Sequence, residues 1–334
     1  MKKFTPMIML SLIMAMILTG CGNGNGNTTS TDNAAMSNSS GTKYLSIGTG
    51  SVTGVYYPLG GALASIVSNK IEGYSCAAES TGGAVENAGL LISGQLDLGF
   101  VAASTLYDAQ HGLNSFADKD GTKVQALFSF FPEVVQILSV DQNIKTIPDL
   151  KGKRVAVGSA GSGTEVMARA ILEIYGMSYD DINEDFLGFG DAASGLKDGT
   201  VDAAFTWAGI PTASVMELCA THNISMISFT DEELQRLMTV SSYCVPANIT
   251  KETYPKMYES AQSFSIPAII CANADLDEEF VYNFMVEVFG NMETLAQTHE
   301  RGADLSLDTA LDGLDGATLH PGAVRFFKEK GLMD

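Results

Sequence analysis

One arrangement occurs twice in this sequence, and it restricts the possible folds more than any other feature. A short apolar strand runs into a glycine-rich loop, the loop runs into a helix, and a further helix is followed by Gly-x-(Leu/Val)-Asp-x-x-Phe. In the first copy the strand is 44–47, the loop and helix start read GTGSVTGVYYPLGG over 48–61, and the closing segment runs from Gly94 to Phe100. In the second the strand is 154–157, the loop is GSAGSGT over 158–164, the helix covers 165–175 before Gly176, and the closing segment runs from Gly199 to Phe205. Strands and helices alternating in this way build parallel sheets covered by helices. Two such series predict two similar α/β lobes with a cleft between them. Ligands of open α/β sheets sit at the carboxyl ends of strands, against helix N-termini. Small residues there leave backbone N–H groups free, and the helix dipole adds partial positive charge, so an anion is bound without an arginine.

The remaining elements follow in order. The first helix is expected over 59–67, with Pro58 in its opening turn, where a missing N–H is no loss. A strand at 74–79 leads through Ser80-Thr81-Gly82-Gly83 into a helix over 84–93, closed by Gly94. A strand at 96–101 has 102–105 as its exit loop. The apolar stretch 124–140 is interrupted at Pro132, and 136–140 reads as a crossover strand leaving the first lobe. SIPAIICA at 265–272 reads as the return crossover. A long amphipathic helix over 277–297 and a last helix over 323–330 are expected to pack back on the first lobe. Lobe 1 is therefore assigned to 43–138 and 272–334, and lobe 2 to 139–271.

The chain's 334 residues suffice for two domains. Lys2 and Lys3 precede an apolar run from Phe4 to Leu18 that is short for a membrane span and reads as a targeting segment over 1–20. It ends in Leu18-Thr-Gly-Cys21, which resembles the lipobox of bacterial lipoproteins and implies Cys21 as a lipidated mature N-terminus. Small polar residues from 21 to 42 read as a flexible tether. The formal net charge of −20 argues against nucleic acid and against polybasic membrane binding. The remaining cysteines, 76, 219, 244 and 271, fit no metal-finger spacing, and Cys219 and Cys271 lie in apolar runs as candidate buried thiols. The four histidines are scattered, and no metal or cofactor is expected.

Several chemistries fail on their residues. Gly158 and Gly163 have phosphate-loop spacing, but Thr164-Glu165 stands where Lys-Ser/Thr is needed. The loop at Gly48 is one residue off the dinucleotide fingerprint. No Gly-x-Ser-x-Gly elbow occurs, and Ser162 has no histidine near it in sequence. Asp97 and Asp202 recur in the same context and read as strand-start caps. The candidate ligand groups are Tyr56 or Tyr57, together with Thr81, Ser104, Ser159, Ser162 and Thr164 on four loop ends. Trp207, the single tryptophan, follows the Asp202 strand in the loop matching Ala102 and is expected at the cleft.

GTGSVTGVYYPLGGALA, ESTGGAVENAGLL, DLKGKRVAVGSAGSGTEVMARAIL, DAAFTWAGIPT and LHPGAVRFFKEKG resemble the TAXI family of solute-binding proteins. These serve tripartite ATP-independent periplasmic (TRAP) transporters. The resemblance, over residues 43 to 334, implies a two-lobed fold of the type II periplasmic-binding kind that closes on a small solute. It implies an acidic amino acid or other small carboxylate as ligand, delivery to an ion-driven permease, and no enzymatic activity. It carries ligand contacts onto Thr49, Gly50, Val55, Tyr57, Ser80, Thr81, Ser162, Gly163, Thr164 and Ala208. Ser51-Val52 stands where Gly-Gly is common in that family. Two alternatives remain beside it: a sensor subunit for a membrane kinase, and a secreted hydrolase using Ser162.

Overall fold

A computed structural model describes residues 41–239 and 241–334. The expected signal segment, Cys21 and all of the tether before residue 41 lie outside the described residues.

Each half of the fold starts with the strand–loop–helix unit. In the first half β1 (Lys43–Gly48) leads to α1 (Tyr56–Lys70), β2 (Tyr74–Glu79), α2 (Ala84–Ile92), β3 (Leu98–Ala102) and α3 (Ala103–His111). The long β4 (Val124–Ser139) follows. The second half holds β5 (Arg154–Ala156), α4 (Gly163–Ile174), β6 (Asn183–Asp185), α5 (Phe189–Asp198), β7 (Ala203–Ala208), α6 (Ala213–Thr221), β8 (Ser225–Met226), α7 (Asp231–Leu237) and β9 (Val245–Ile249). The second long strand, β10 (Ala261–Asn273), returns to α8 (Glu278–Gly290), α9 (Met292–Thr298) and α10 (Pro321–Glu329).

The main strand order is β2-β1-β3-β10-β4-β7-β5-β6, with β8 on β4 and β9 on β10. The antiparallel β10–β4 pair forms the middle. Around it β3 corresponds to β7, β1 to β5 and β2 to β6, and the β1–β2, β1–β3, β5–β6 and β5–β7 pairs are parallel. The repeat seen in the sequence is thus a repeat in space. Its aspartates match: Asp97 accepts from the Ser46 N–H at 2.8 Å, and Asp202 accepts from the Arg154 N–H at 2.8 Å. Both carboxylates tie the start of the closing strand to its neighbour, as expected.

Pro132 does not interrupt β4, which runs unbroken for 16 residues. It lies opposite Pro267 of β10. Neither residue has an N–H, so the ladder leaves no donor unpaired there. On one side of this pair β10 borders β3, through Ala268 to Ala272; on the other β4 borders β7, through Val134 to Leu138.

Leu59, Leu63, Ile66 and Val67 of α1 share one helical face and pack with Phe280, Phe284 and Val288 of α8 and Phe326 and Phe327 of α10. The late helices do pack on the first half. A second cluster joins Leu196 of α5 to Val215 and Leu218 of α6. A third spans both halves, from Ala88 and Leu91 of α2 to Ile171 of α4 and Phe205 of β7. Two expectations need correction. The segment 102–105 is not a loop, because α3 starts at Ala103, directly after β3. The helix over 277–297 is two helices, parted at Gly290-Asn291, both weak helix formers. Cys219 and Cys271 are fully buried, and all four described cysteines are unpaired. No helix among the described residues is long and apolar enough to cross a membrane.

Candidate functional site

The loops of the two repeats meet over one cavity, which encloses about 560 Å³ of atom-free space, its opening included. Four helices begin on its wall. Their N-cap residues, Val55 of α1, Gly83 of α2, Ser162 of α4 and Gly188 of α5, all line it. The first turn of a helix has N–H groups without intrahelical partners. Side chains usually satisfy some of them, yet Val55, Gly83 and Gly188 make no side-chain cap. Only Ser162 caps its own helix, accepting from the Glu165 N–H at 3.1 Å. No lysine, arginine or histidine lines the cavity among the described residues. The partial positive charge that its wall offers a ligand is that of peptide dipoles.

Beside the cavity the two halves are joined by backbone. The Glu86 N–H donates to the Gly161 carbonyl at 3.1 Å, and the Ser214 N–H donates to the Thr53 carbonyl at 3.3 Å. Trp207 forms part of the floor. It is buried, its Nε1–H donates to the Glu133 carbonyl oxygen at 3.0 Å, and its ring lies so close to Gly163 that a Cβ there would sit 3.0 Å from Cζ3. Trp207 lines the cavity, but from within β7 rather than from the loop expected after it, and its ring also belongs to the spanning core.

Glu133 is the ionisable carboxyl on the wall. It is 4% exposed, and its Oε2 accepts from the Tyr56 hydroxyl at 2.6 Å. Burial pushes its pKa up to about 8, opposed only by that hydrogen bond. The Tyr56 phenol is itself held well above its usual range, by burial first and then by the neighbouring Glu133. The Tyr56 ring stacks on Phe100 with centroids 4.5 Å apart, which fixes the hydroxyl against the carboxyl. Glu133 is the only charged residue between Val124 and Val140, and a lone acid in so apolar a stretch was the signal for it.

Of the residues singled out in the sequence, Gly50, Val55, Ser159, Ser162, Gly163, Thr164, Trp207 and Ala208 come together on this wall. Thr49, Ser80 and Thr81 stand behind it. The Thr49 hydroxyl donates to the Glu79 carbonyl at 2.6 Å and the Ser80 hydroxyl to the Gly50 carbonyl at 2.8 Å. The Thr81 hydroxyl lies 2.7 Å from Asn87 Oδ1 and accepts from the Gly83 N–H. These three shape the loops. Tyr57 is 38% exposed and outside the lining; the wall takes Tyr56 instead, because α1 already starts there and turns the next residue outward. Ser104, in the first turn of α3, borders a neighbouring depression shared with Trp207 and Gly163. Ser51 and Gly54, within the first glycine-rich loop, also line the cavity, as does Phe189, which had no signal of its own.

Among solved structures the chain is similar to a putative L-cystine ABC transporter protein from Listeria monocytogenes, at 16% identity over 79% of this chain and 98% of that one, with a TM-score of 0.50. The alkanesulfonate-binding protein SsuA from Xanthomonas axonopodis pv. citri, bound to MOPS, matches at 16% identity over 88% and 95% of the two chains, TM-score 0.45. An ancestral arginine-binding protein bound to arginine matches at 17% over 77% and 97%, TM-score 0.48. The Listeria likeness concerns the fold alone: α/β, two-lobed, of the periplasmic-binding kind. The model of the NMT1-like family matches residues 47–331, which hold every element that builds the cavity, and the chain belongs to that family.

Proposed function

We propose that this protein is the extracytoplasmic solute-binding subunit of a TAXI-type TRAP transporter, capturing a small carboxylate of the glutamate or glutamine kind for an ion-driven permease. One observation carries the reading: four helix N-termini, three without a side-chain cap, converge on one cavity that no basic side chain lines among the described residues. Such a wall offers N–H donors at fixed positions and suits a carboxylate. The contacts are assigned to Gly50, Val55, Ser162, Gly163, Thr164, Trp207 and Ala208, joined by Tyr56 and Glu133; Thr49, Ser80 and Thr81 position the loops. The lobes are assigned as 43–138 with 272–334, and 139–271; the strand pairing favours a pivot slightly before each boundary, at Pro132 and Pro267. Lipidation at Cys21 holds the protein at the membrane, and Cys21→Ser is expected to move it from the membrane fraction to the soluble one.

Calorimetric titration of the purified protein with glutamate, glutamine and unsubstituted dicarboxylates tests the ligand class, with sugars as controls. Thr164 lines the cavity, and its hydroxyl makes no hydrogen bond to protein among the described residues. Thr164→Ala is therefore expected to weaken carboxylate binding by about 1–2 kcal/mol. Binding of sugars but of no carboxylate would refute the assignment. A second reading, service to an ABC importer, draws on the description of the Listeria protein. Co-purification of an ATPase subunit would favour it over the TRAP reading.

A further inference from the structure

The anion site contains an acid, and its geometry bears on what the anion is. The Glu133 Oε2 is occupied by the Tyr56 hydroxyl, whereas Oε1 makes no hydrogen bond to protein among the described residues, and the residue lines the cavity while being 4% exposed. An ionised carboxylate buried beside a bound anion would meet both a desolvation cost and like-charge repulsion. The groups around it offer no cation. Tyr56 of α1 is its hydrogen-bond donor, Trp207 of β7 bonds its main-chain carbonyl, and Ile266 of β10 lies across the ladder. Cys271 of β10, near Tyr56, is a thiol pushed up by burial. Arg301 borders a separate groove beside Pro132 and pairs with Asp304 at 2.8 Å.

We propose that Glu133 determines which anions the cavity accepts: in its protonated form it donates from Oε1 to an oxygen of the ligand, which selects carboxylates with no ammonium group at that end. The inference rests on the carboxylate reading of the same site and narrows it, away from the amino acids of that class and toward carboxylates without an ammonium group. With Glu133 neutral, the helix N–H groups and the acid proton make a wall of donors, to which an ammonium adds nothing. Burial places the titration of Glu133 at about 8. Anion binding above that pH takes one proton from solution per ligand bound, and affinity falls about tenfold for each further pH unit.

Glutarate and glutamate differ only in the ammonium group and are the probes. Calorimetry on the full-length protein at pH 7 and pH 9.5 is expected to show glutarate bound more tightly than glutamate at pH 7, and about 30-fold more weakly at pH 9.5. Glu133→Gln is expected to remove this pH dependence. Glu133→Leu, which has no donor, is expected to bind glutarate about tenfold more weakly than Glu133→Gln at pH 7. The emission of Trp207 in ligand-free protein should show a step near pH 8 that is missing in Glu133→Gln, a readout that needs no ligand. Glutarate affinity that is flat with pH in the unsubstituted protein overturns the inference and leaves the carboxylate function standing. So does tight glutamate binding that Glu133→Gln abolishes, since Glu133 would then be an ammonium acceptor. If neither probe binds at any pH, the carboxylate function itself falls, and this inference with it.

Discussion

At the scale of single residues, Glu133 concentrates most of the physics of the site. Its carboxyl, ordinarily at 4.5, titrates at about 8 in the fold because burial removes the water that stabilises its charge. The folded chain therefore binds a proton more tightly than the unfolded one. The stability that Glu133 contributes is fully present below pH 4.5, declines as pH rises toward 8, and changes no further above that. The decline is at most about 1.4 kcal/mol per pH unit. Urea unfolding of the parent protein and of Glu133→Gln, compared at pH 5, 6.5, 8 and 9, should show the parent losing stability relative to the variant up to pH 8 and then running parallel to it. A difference that stays constant from pH 5 to 8 would mean that Glu133 titrates normally. Tyr56 shows why neighbouring residues part ways. It begins α1 and reaches Glu133, while Tyr57, one step around the helix, is left toward solvent.

At the scale of elements, the sequence was most legible where backbone geometry demands particular residues. Glycines at 158 and 163 marked the second loop for physical reasons: Gly158 has a φ of +100°, and Gly163 touches the Trp207 ring. Ser162, with its capping hydroxyl, marked the start of α4. The paired aspartates marked β3 and β7. What escaped did so for opposite reasons. The N-terminus of α5 at Gly188-Phe189 carries no side-chain cap, so nothing in the sequence announced that it reaches the cavity. The lack of a cap that hides such a helix start from sequence reading is what leaves its N–H groups open to a ligand. Ser104 and Thr105 look like loop residues but open α3, where packing of Leu106 and Ala109 outweighs weak local propensity. The lone charge in β4 was visible; its pairing with Tyr56, 77 positions earlier, is a tertiary fact that local pattern does not encode.

At the scale of the whole molecule, the two halves of the sheet share only the long strands β4 and β10 as continuous connections through the middle. The proline pair in those strands is where bending disturbs no donor, and rigid halves moving about such a point are the known way for two-lobed proteins to open. In the described arrangement two main-chain hydrogen bonds join the halves beside the cavity. Small-angle scattering is expected to give a larger radius of gyration for ligand-free protein than for protein saturated with a carboxylate found by calorimetry. Superimposable curves would argue that the halves do not move.

Those bonds between the halves have a further consequence. Both join a peptide N–H to a peptide carbonyl, at Glu86 and Gly161 and at Ser214 and Thr53. Exchanging a side chain at 53, 86 or 214 leaves the bonding atoms in place, except that proline at 86 or 214 would delete a donor; Gly161, at a φ of +74°, is the position where any side chain would strain the backbone that carries the acceptor. Apart from Gly161 the latch is thus insensitive to side-chain identity, whereas the cavity lining is not. On the proposed function, the cavity wall can change with the solute while the clasp stays in place, so long as position 161 remains glycine.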